Sequence, residues 1–281
     1  MLPTLTLAGR EFSTYSLMAM IGMIIAGLFA YKEAEKRALR PVDMIELLLV
    51  GAVGTLFGAH LLYFLLNIRL LGKVPFLELI GGAVFYGGLF GGLLFGVIFL
   101  KVKKWDVAVY ADIAACFIPL FHGIARIGCF LGGCCYGIEC KVGFVMIHSP
   151  AAGANGVSRF PVQLLEAALE FGLFALIYLV LYRGCAEKRS AGEKSRLEGH
   201  LLNVYLVLYA VIRFLDEFLR GDDALRGIFG PFSTSQWISL AVLAVHAVYF
   251  GIKACRKGTL QALSARGKTA AKQAAKHESE S

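Results

Sequence analysis

At 281 residues, 58% hydrophobic and 17% charged, with a mean hydropathy of +0.68, the chain has more apolar surface than a soluble domain of its size can bury. The composition specifies an integral membrane protein. A net charge of +8 does not indicate nucleic acid, because the basic residues lie between apolar runs and form no face of a polar domain. The 32 glycines suit closely packed membrane helices.

Seven apolar stretches are long enough to cross a hydrocarbon core of roughly 30 Å. They lie near 15–31, 43–66, 79–100, 107–130, 161–182, 200–219 and 233–252. The first has no basic segment before it, and its positive charges follow it, so it reads as a retained helix rather than a cleaved signal peptide. Segments 32–42, 101–106, 183–199 and 253–281 hold 19 of the 28 lysines and arginines, whereas the alternate segments hold 7. The positive-inside rule then places the N-terminus outside and the C-terminus in the cytoplasm. The expected fold is an all-α membrane protein of seven transmembrane helices over residues 1–255. Residues 131–160 are expected to form a small outer-face segment, and 256–281 a basic cytoplasmic tail of disordered composition. No internal repeat is evident.

The third stretch contains GGAVFYGGLFGG, with glycine pairs at 81–82, 87–88 and 91–92. Such pairs serve close helix packing, or let backbone approach a substrate, or break the helix. Tyr86 is the polar group within the motif. In the fourth stretch Pro119 is expected to kink the helix. His122 and Arg126, four apart, share a face near its outer end, where His122 is either structural or a proton acceptor or phosphate ligand.

Cys129, Cys134, Cys135 and Cys140 follow as C-x4-C-C-x4-C. This departs from the paired C-x2-C spacing of zinc sites, so no metal is expected. Two disulfides, or small apolar residues in a glycine-rich turn, are the alternatives. In the fifth stretch Pro161 suits a first helical turn, and Gln163, Glu166 and Glu170 line one face. Two membrane-embedded carboxylates require partners, and Arg126 and Arg213 are the candidates.

The sixth stretch carries Tyr205, Tyr209, Arg213 and Glu217 at intervals of four, on one helix face. A charge inside a spanning helix is costly and marks a functional site by default. Arg213 lies about two turns below the outer end, and Glu217 is expected to pair with it or with Arg220. Two embedded arginines call for an anionic partner, and in a lipid bilayer that anion is a lipid phosphate.

From about residue 12 to 250 the chain resembles the prolipoprotein diacylglyceryl transferase family. The resemblance rests on FYGGLFGG (85–92), ARIGCFLGGCCYG (125–137), FPVQLLEA (160–167) and YLVLYAVIRFLDEFLRGDD (205–223). Tyr209, Arg213 and Glu217 keep the family's Tyr-x3-Arg-x3-Glu spacing, and Arg220, Arg126, Gly137 and Tyr15 also fit. The chain departs from the pattern at Cys129, where the family signature has Asn, and at Cys134, where it has an acidic residue.

The resemblance implies transfer of the diacylglyceryl group of phosphatidylglycerol to the lipobox cysteine of a prolipoprotein, with release of glycerol phosphate. It implies no cofactor and a site in the outer half of the bacterial cytoplasmic membrane. Arg126 and Arg213 would grip the phosphate, with His122 or Tyr86 as thiol proton acceptor. Tyr15, Gly87, Gly88, Cys129, Gly137, Gln163, Glu166, Tyr209, Glu217 and Arg220 would bind substrate. Two other readings keep the same residues. One is a paralogue moving another lipid or head group, and the other is a non-catalytic lipid-binding or transport protein.

Overall fold

A computed structural model describes residues 1–7, 9–82, 84–193, 195–222 and 226–255, so the expected tail lies outside the described residues. The chain forms two compact units. The first is Met1–Tyr205 with Leu219–Asp222, and the second is Leu206–Phe218 with the chain from Asp223 onward.

The first unit opens with the antiparallel strands β1 (Thr4–Leu7) and β2 (Arg10–Ser13), then α1 (Thr14–Lys36). α2 (Pro41–Leu66) follows, with proline in its first turn, where a missing N–H costs nothing. α3 (Phe76–Gly81) is short, and the chain is extended at Gly82 before α4 (Phe85–Val102) begins. The expected span 79–100 is therefore two helices. The break is held from α2, because His60 Nδ1 donates to the Gly82 carbonyl at 2.8 Å and Val84 N to the Ala59 carbonyl at 3.1 Å.

α2 and α4 pack backbone to backbone through Gly54 and Gly58 against Gly87 and Gly91. A Cβ on Gly58 would lie 2.1 Å from the Gly87 carbonyl oxygen, and one on Gly91 would lie 2.2 Å from that of Gly54. Away from this seam, Leu49, Val53 and Leu56 of α2 are more than half exposed. An apolar face of this kind on a 26-residue helix is what lipid contact requires.

α5 (Val107–Gly132) is the core of the unit and packs against α1 and α6 (Val162–Phe174). Asp106 caps its N-terminus by accepting from Ala108 N at 2.9 Å. Pro119 lies inside the helix, which continues through it. The segment after α5 carries the paired strands β3 (Glu139–Val145) and β4 (Ser158–Arg159). α6 runs on without interruption through a π-helical stretch (Ala175–Tyr182) into α7 (Arg183–Ser190).

The buried Asp112 of α5 accepts from Gly199 N at 2.6 Å and Leu201 N at 2.9 Å, at the start of α8 (Leu201–Asp216). It thereby satisfies amides at the opening of this helix. Asp112→Ala should cost about 1–3 kcal/mol by stranding these donors, whereas Asp112→Asn, which keeps one acceptor, should cost less. Thermal unfolding of both variants in detergent checks this.

In the second unit β5 (Ile228–Phe229) and β6 (Phe232–Ser233) form a hairpin that leads into α9 (Thr234–Cys255). Gln236 of α9 donates from Nε2 to the Phe214 carbonyl of α8 at 3.3 Å.

Among the described residues five helical runs are long and apolar enough to cross a membrane: Thr14–Lys36, Pro41–Leu66, Val107–Gly132, Val162–Ser190 and Thr234–Cys255. The other two expected spans appear as shorter helices, α4 and the 16-residue α8. At 1.5 Å per residue α8 is roughly 24 Å long, less than a full hydrocarbon core. The protein is a helical, multi-pass membrane protein with three small β-hairpins.

Candidate active site

In the first unit, His122 and Arg126 project from α5 toward the opening turns of α6. Arg126 Nη2 meets Glu166 Oε1 at 2.7 Å. His122 lies between two carboxylates, with Nδ1 at 2.9 Å from Glu170 Oε1 and Nε2 at 3.7 Å from Glu166 Oε1. Both glutamates are fully buried. Carboxylates at this depth persist as charges only when paired, and the i, i+4 spacing on each helix sets the two pairs side by side. Glu170 fixes the His122 ring, and Glu166 fixes the Arg126 guanidinium. A guanidinium whose orientation is fixed in this way is suited in charge and shape to an anionic ligand.

Gln163, one turn earlier on α6, donates from Nε2 to the Cys134 carbonyl at 2.7 Å and so ties the loop after α5 to this site. Gly137 lies where three chain segments meet. Ile138 N donates to the Leu219 carbonyl at 2.9 Å, Phe160 N to the Ile138 carbonyl at 2.9 Å, and Gly221 N to the Tyr136 carbonyl at 3.0 Å. A Cβ on Gly137 would sit 2.3 Å from the Phe160 carbonyl oxygen and 3.0 Å from that of Leu219. Gly137→Ala should therefore push the 137–138 and 219–221 backbones apart. The expected result is at least a twofold faster proteolytic cleavage of 133–160, read by limited proteolysis in detergent.

Of the two arginines expected for Glu217, Arg213 meets it. Arg220 is forked onto Asp222. Its Nε donates to Oδ1 at 2.7 Å, and its Nη2 contacts Oδ2. The two residues are close in sequence and both are buried. Tyr15, 44% exposed, opens α1 beside α5, where a Cβ on Gly128 would lie 3.4 Å from its Cα. Gly87 and Gly88, read either as close helix packing or as an approach for substrate, face α2. A Cβ on Gly87 would be 2.3 Å from the Gly58 oxygen, and one on Gly88 would be 3.1 Å from Thr55 Cγ2. Helix packing takes up that face. The side chain of Tyr86 lies outside those described.

Cys129, in the last turn of α5, is joined by Cys134 and Cys135, and the three Sγ atoms lie within 4.8 Å of one another. Among the described residues all the cysteines are free thiols, so the disulfide alternative is not seen, and Cys140 lies apart in β3. Hydrogen bonds from the Cys129 and Cys134 thiols hold the Cys135 thiol far below its ordinary range. Hydrogen bonding with Cys129 pushes Cys134 far above it.

The second unit holds a separate charged cluster. Tyr209, Arg213 and Glu217 climb one face from α8 into the 3-10 turn Glu217–Leu219. Arg213 Nη2 lies 2.6 Å from Glu217 Oε2 and donates to Ser235 Oγ at 3.2 Å. On the other side of the same carboxylate, Arg226 Nε donates to Glu217 Oε1 at 3.0 Å and its Nη2 donates to the Glu217 carbonyl at 2.8 Å. Glu217 is fully buried, one carboxylate between two guanidinium groups, so the trio carries one positive charge in excess. Sequence reasoning gave Arg226 no role. It lies in a segment counted only for its charge, and no spacing relates it to Glu217.

The family resemblance of the sequence is matched by comparison with known proteins. The family described as prolipoprotein diacylglyceryl transferase matches residues 3–252. A Clostridium tetani protein named phosphatidylglycerol–prolipoprotein diacylglyceryl transferase is 33% identical over 255 residues, covering 89% of this chain and 97% of that protein. Proteins of that name from Geobacter sulfurreducens and, numbered 2, from Clostridium perfringens are 34% and 31% identical, covering 82% and 84% of this chain and 86% and 88% of theirs. With a family match over residues 3–252 and relatives of up to 34% identity along most of their length, the chain belongs to the prolipoprotein diacylglyceryl transferase family.

Proposed function

We propose that this protein transfers the diacylglyceryl group of phosphatidylglycerol to the lipobox cysteine of a prolipoprotein at the bacterial cytoplasmic membrane. The observation that carries this reading is membership of the family along nearly the whole chain. The two clusters of arginines held by buried carboxylates supply a chemical basis for it.

In the reaction, the substrate thiolate attacks the glycerol carbon bonded to the phosphate oxygen. A C–S bond forms, the C–O bond breaks with its electron pair going to oxygen, and glycerol phosphate leaves. Negative charge grows on the leaving phosphate, and preorganised guanidinium groups in a low-dielectric site stabilise that change most. Arg126 and Arg213 are assigned this role. Glu166 orients Arg126, and Glu217 and Ser235 orient Arg213.

A thiol has an ordinary pKa of about 8.5, so the attacking group must lose its proton to a base. His122, aligned by Glu170, is assigned as acceptor, and Tyr15, Tyr209 and Gln163 are placed among the substrate contacts. The charge pattern of the loops supports seven spans, an outer N-terminus and a site in the outer half of the membrane.

The test is a transfer assay with purified protein, phosphatidylglycerol and a labelled lipobox peptide, with Arg213→Ala as control. A diacylglyceryl mass adduct on the peptide cysteine, absent from the control, is expected. Folded protein that yields no adduct would overturn the reading in favour of another lipid or acceptor.

A further inference from the structure

We propose that Cys129, Cys134 and Cys135 form a three-thiolate site for a thiophilic closed-shell cation, zinc above all. With their Sγ atoms already within 4.8 Å of one another, little movement is needed. Thiolates bound to one zinc ion at about 2.3 Å stand roughly 3.8 Å apart in tetrahedral geometry. Rotation of the thiols, closing each pair by about an ångström or less, completes the site.

The backbone explains how a spacing without a C-x2-C pair achieves this. Cys129 belongs to the last helical turn and is 5% exposed. The chain then reverses through two left-handed residues, Gly133 at φ 74° and Cys135 at φ 55°. Glycine adopts this conformation freely, but a cysteine seldom does. The loop is pinned from α6 by the Gln163–Cys134 hydrogen bond at 2.7 Å and from the helix by Cys134 N donating to the Cys129 carbonyl at 3.1 Å.

The surroundings are cationic. Arg126 Nη1 lies 3.7 Å from Cys129 Sγ. A guanidinium at this distance offsets the single negative charge of a zinc tris-thiolate. Three converging sulfurs also suit one shared cation better than a disulfide, which uses only two. A fourth, tetrahedral position is left for water or another small donor.

The test uses the full-length, reduced protein in detergent, equilibrated with Zn2+ alone or with Co2+ as a spectroscopic probe. One equivalent of zinc per chain should survive gel filtration, and the cobalt form should show thiolate-to-metal charge-transfer absorption. Cys134→Ser and Cys135→Ser should each weaken binding at least about tenfold, and Cys140→Ser should leave it unchanged. Folded wild-type protein that retains no stoichiometric metal would overturn the site, as would unweakened binding in both serine variants.

Alkylation mapped by mass spectrometry gives a second measurement that needs no variant. Zn2+ should shield Cys129, Cys134 and Cys135 and leave Cys140 reactive. Equal labelling with and without Zn2+ would overturn the proposal. Neither readout depends on lipid transfer, so this site and the proposed activity stand or fall separately.

Discussion

Arg213→Lys is expected to lower lipid-transfer turnover by an order of magnitude or more, and Arg213→Ala by about 10²–10³-fold. A transition-state contact to a developing oxyanion is worth roughly 2–4 kcal/mol, and each 1.4 kcal/mol is a factor of ten. Lysine keeps the charge but loses the planar guanidinium whose Nη2 meets both Glu217 and Ser235. The variants should remain folded, because Glu217 keeps Arg226 at 3.0 Å and is not stranded as a lone buried charge. Ser235→Ala, which removes only one orienting contact, should cost a few-fold at most. Turnover in mixed micelles, alongside melting temperature, separates lost chemistry from lost fold. Wild-type rates in both Arg213 variants would remove this residue from the mechanism.

Periodicity in the sequence placed most of the helices and the i, i+4 pairs, because both depend on local geometry. His122 with Arg126, and Arg213 with Glu217, are neighbours on their own helices wherever those helices pack. The glycine pairs were legible as a type but not in their roles. Gly82 lies at a helix break, whereas Gly87 and Gly91 meet Gly58 and Gly54. Hydropathy carries no information on which partner a glycine faces. The π-helical stretch Ala175–Tyr182 was likewise hidden, since ALIYLVLY is as apolar in one helical form as in another.

The partners of the charges were harder to read. Glu170 on His122, Arg226 on Glu217 and Arg220 on Asp222 all depend on how the chain turns between elements. The thiol cluster is the clearest case. Its spacing shows no C-x2-C pair, yet three thiols converge, one from a helix end and two from the turn that follows, a geometry that the spacing does not encode.

Glu166→Leu is expected to destabilise the protein by about 3–5 kcal/mol, the usual cost of removing one member of a buried ion pair. The loss leaves the Arg126 guanidinium without the carboxylate at 2.7 Å and takes away the contact on the Nε2 side of His122. Glu166→Gln keeps an acceptor oxygen of the same shape and should lose less. The informative variant is the double replacement Arg126→Leu/Glu166→Leu. An apolar pair of similar volume is often as stable as the ion pair it replaces, because neither charge then has to be desolvated. The double variant should therefore melt well above Glu166→Leu, close to wild type, with Glu170 still held by His122. Its lipid transfer should nonetheless remain at the level of Arg126→Leu alone. Stability would then report the ion pair, and activity would report the guanidinium. Recovery of stability without recovery of turnover places Arg126 in the chemistry, whereas a stable and active double variant would reduce this pair to a structural contact between α5 and α6.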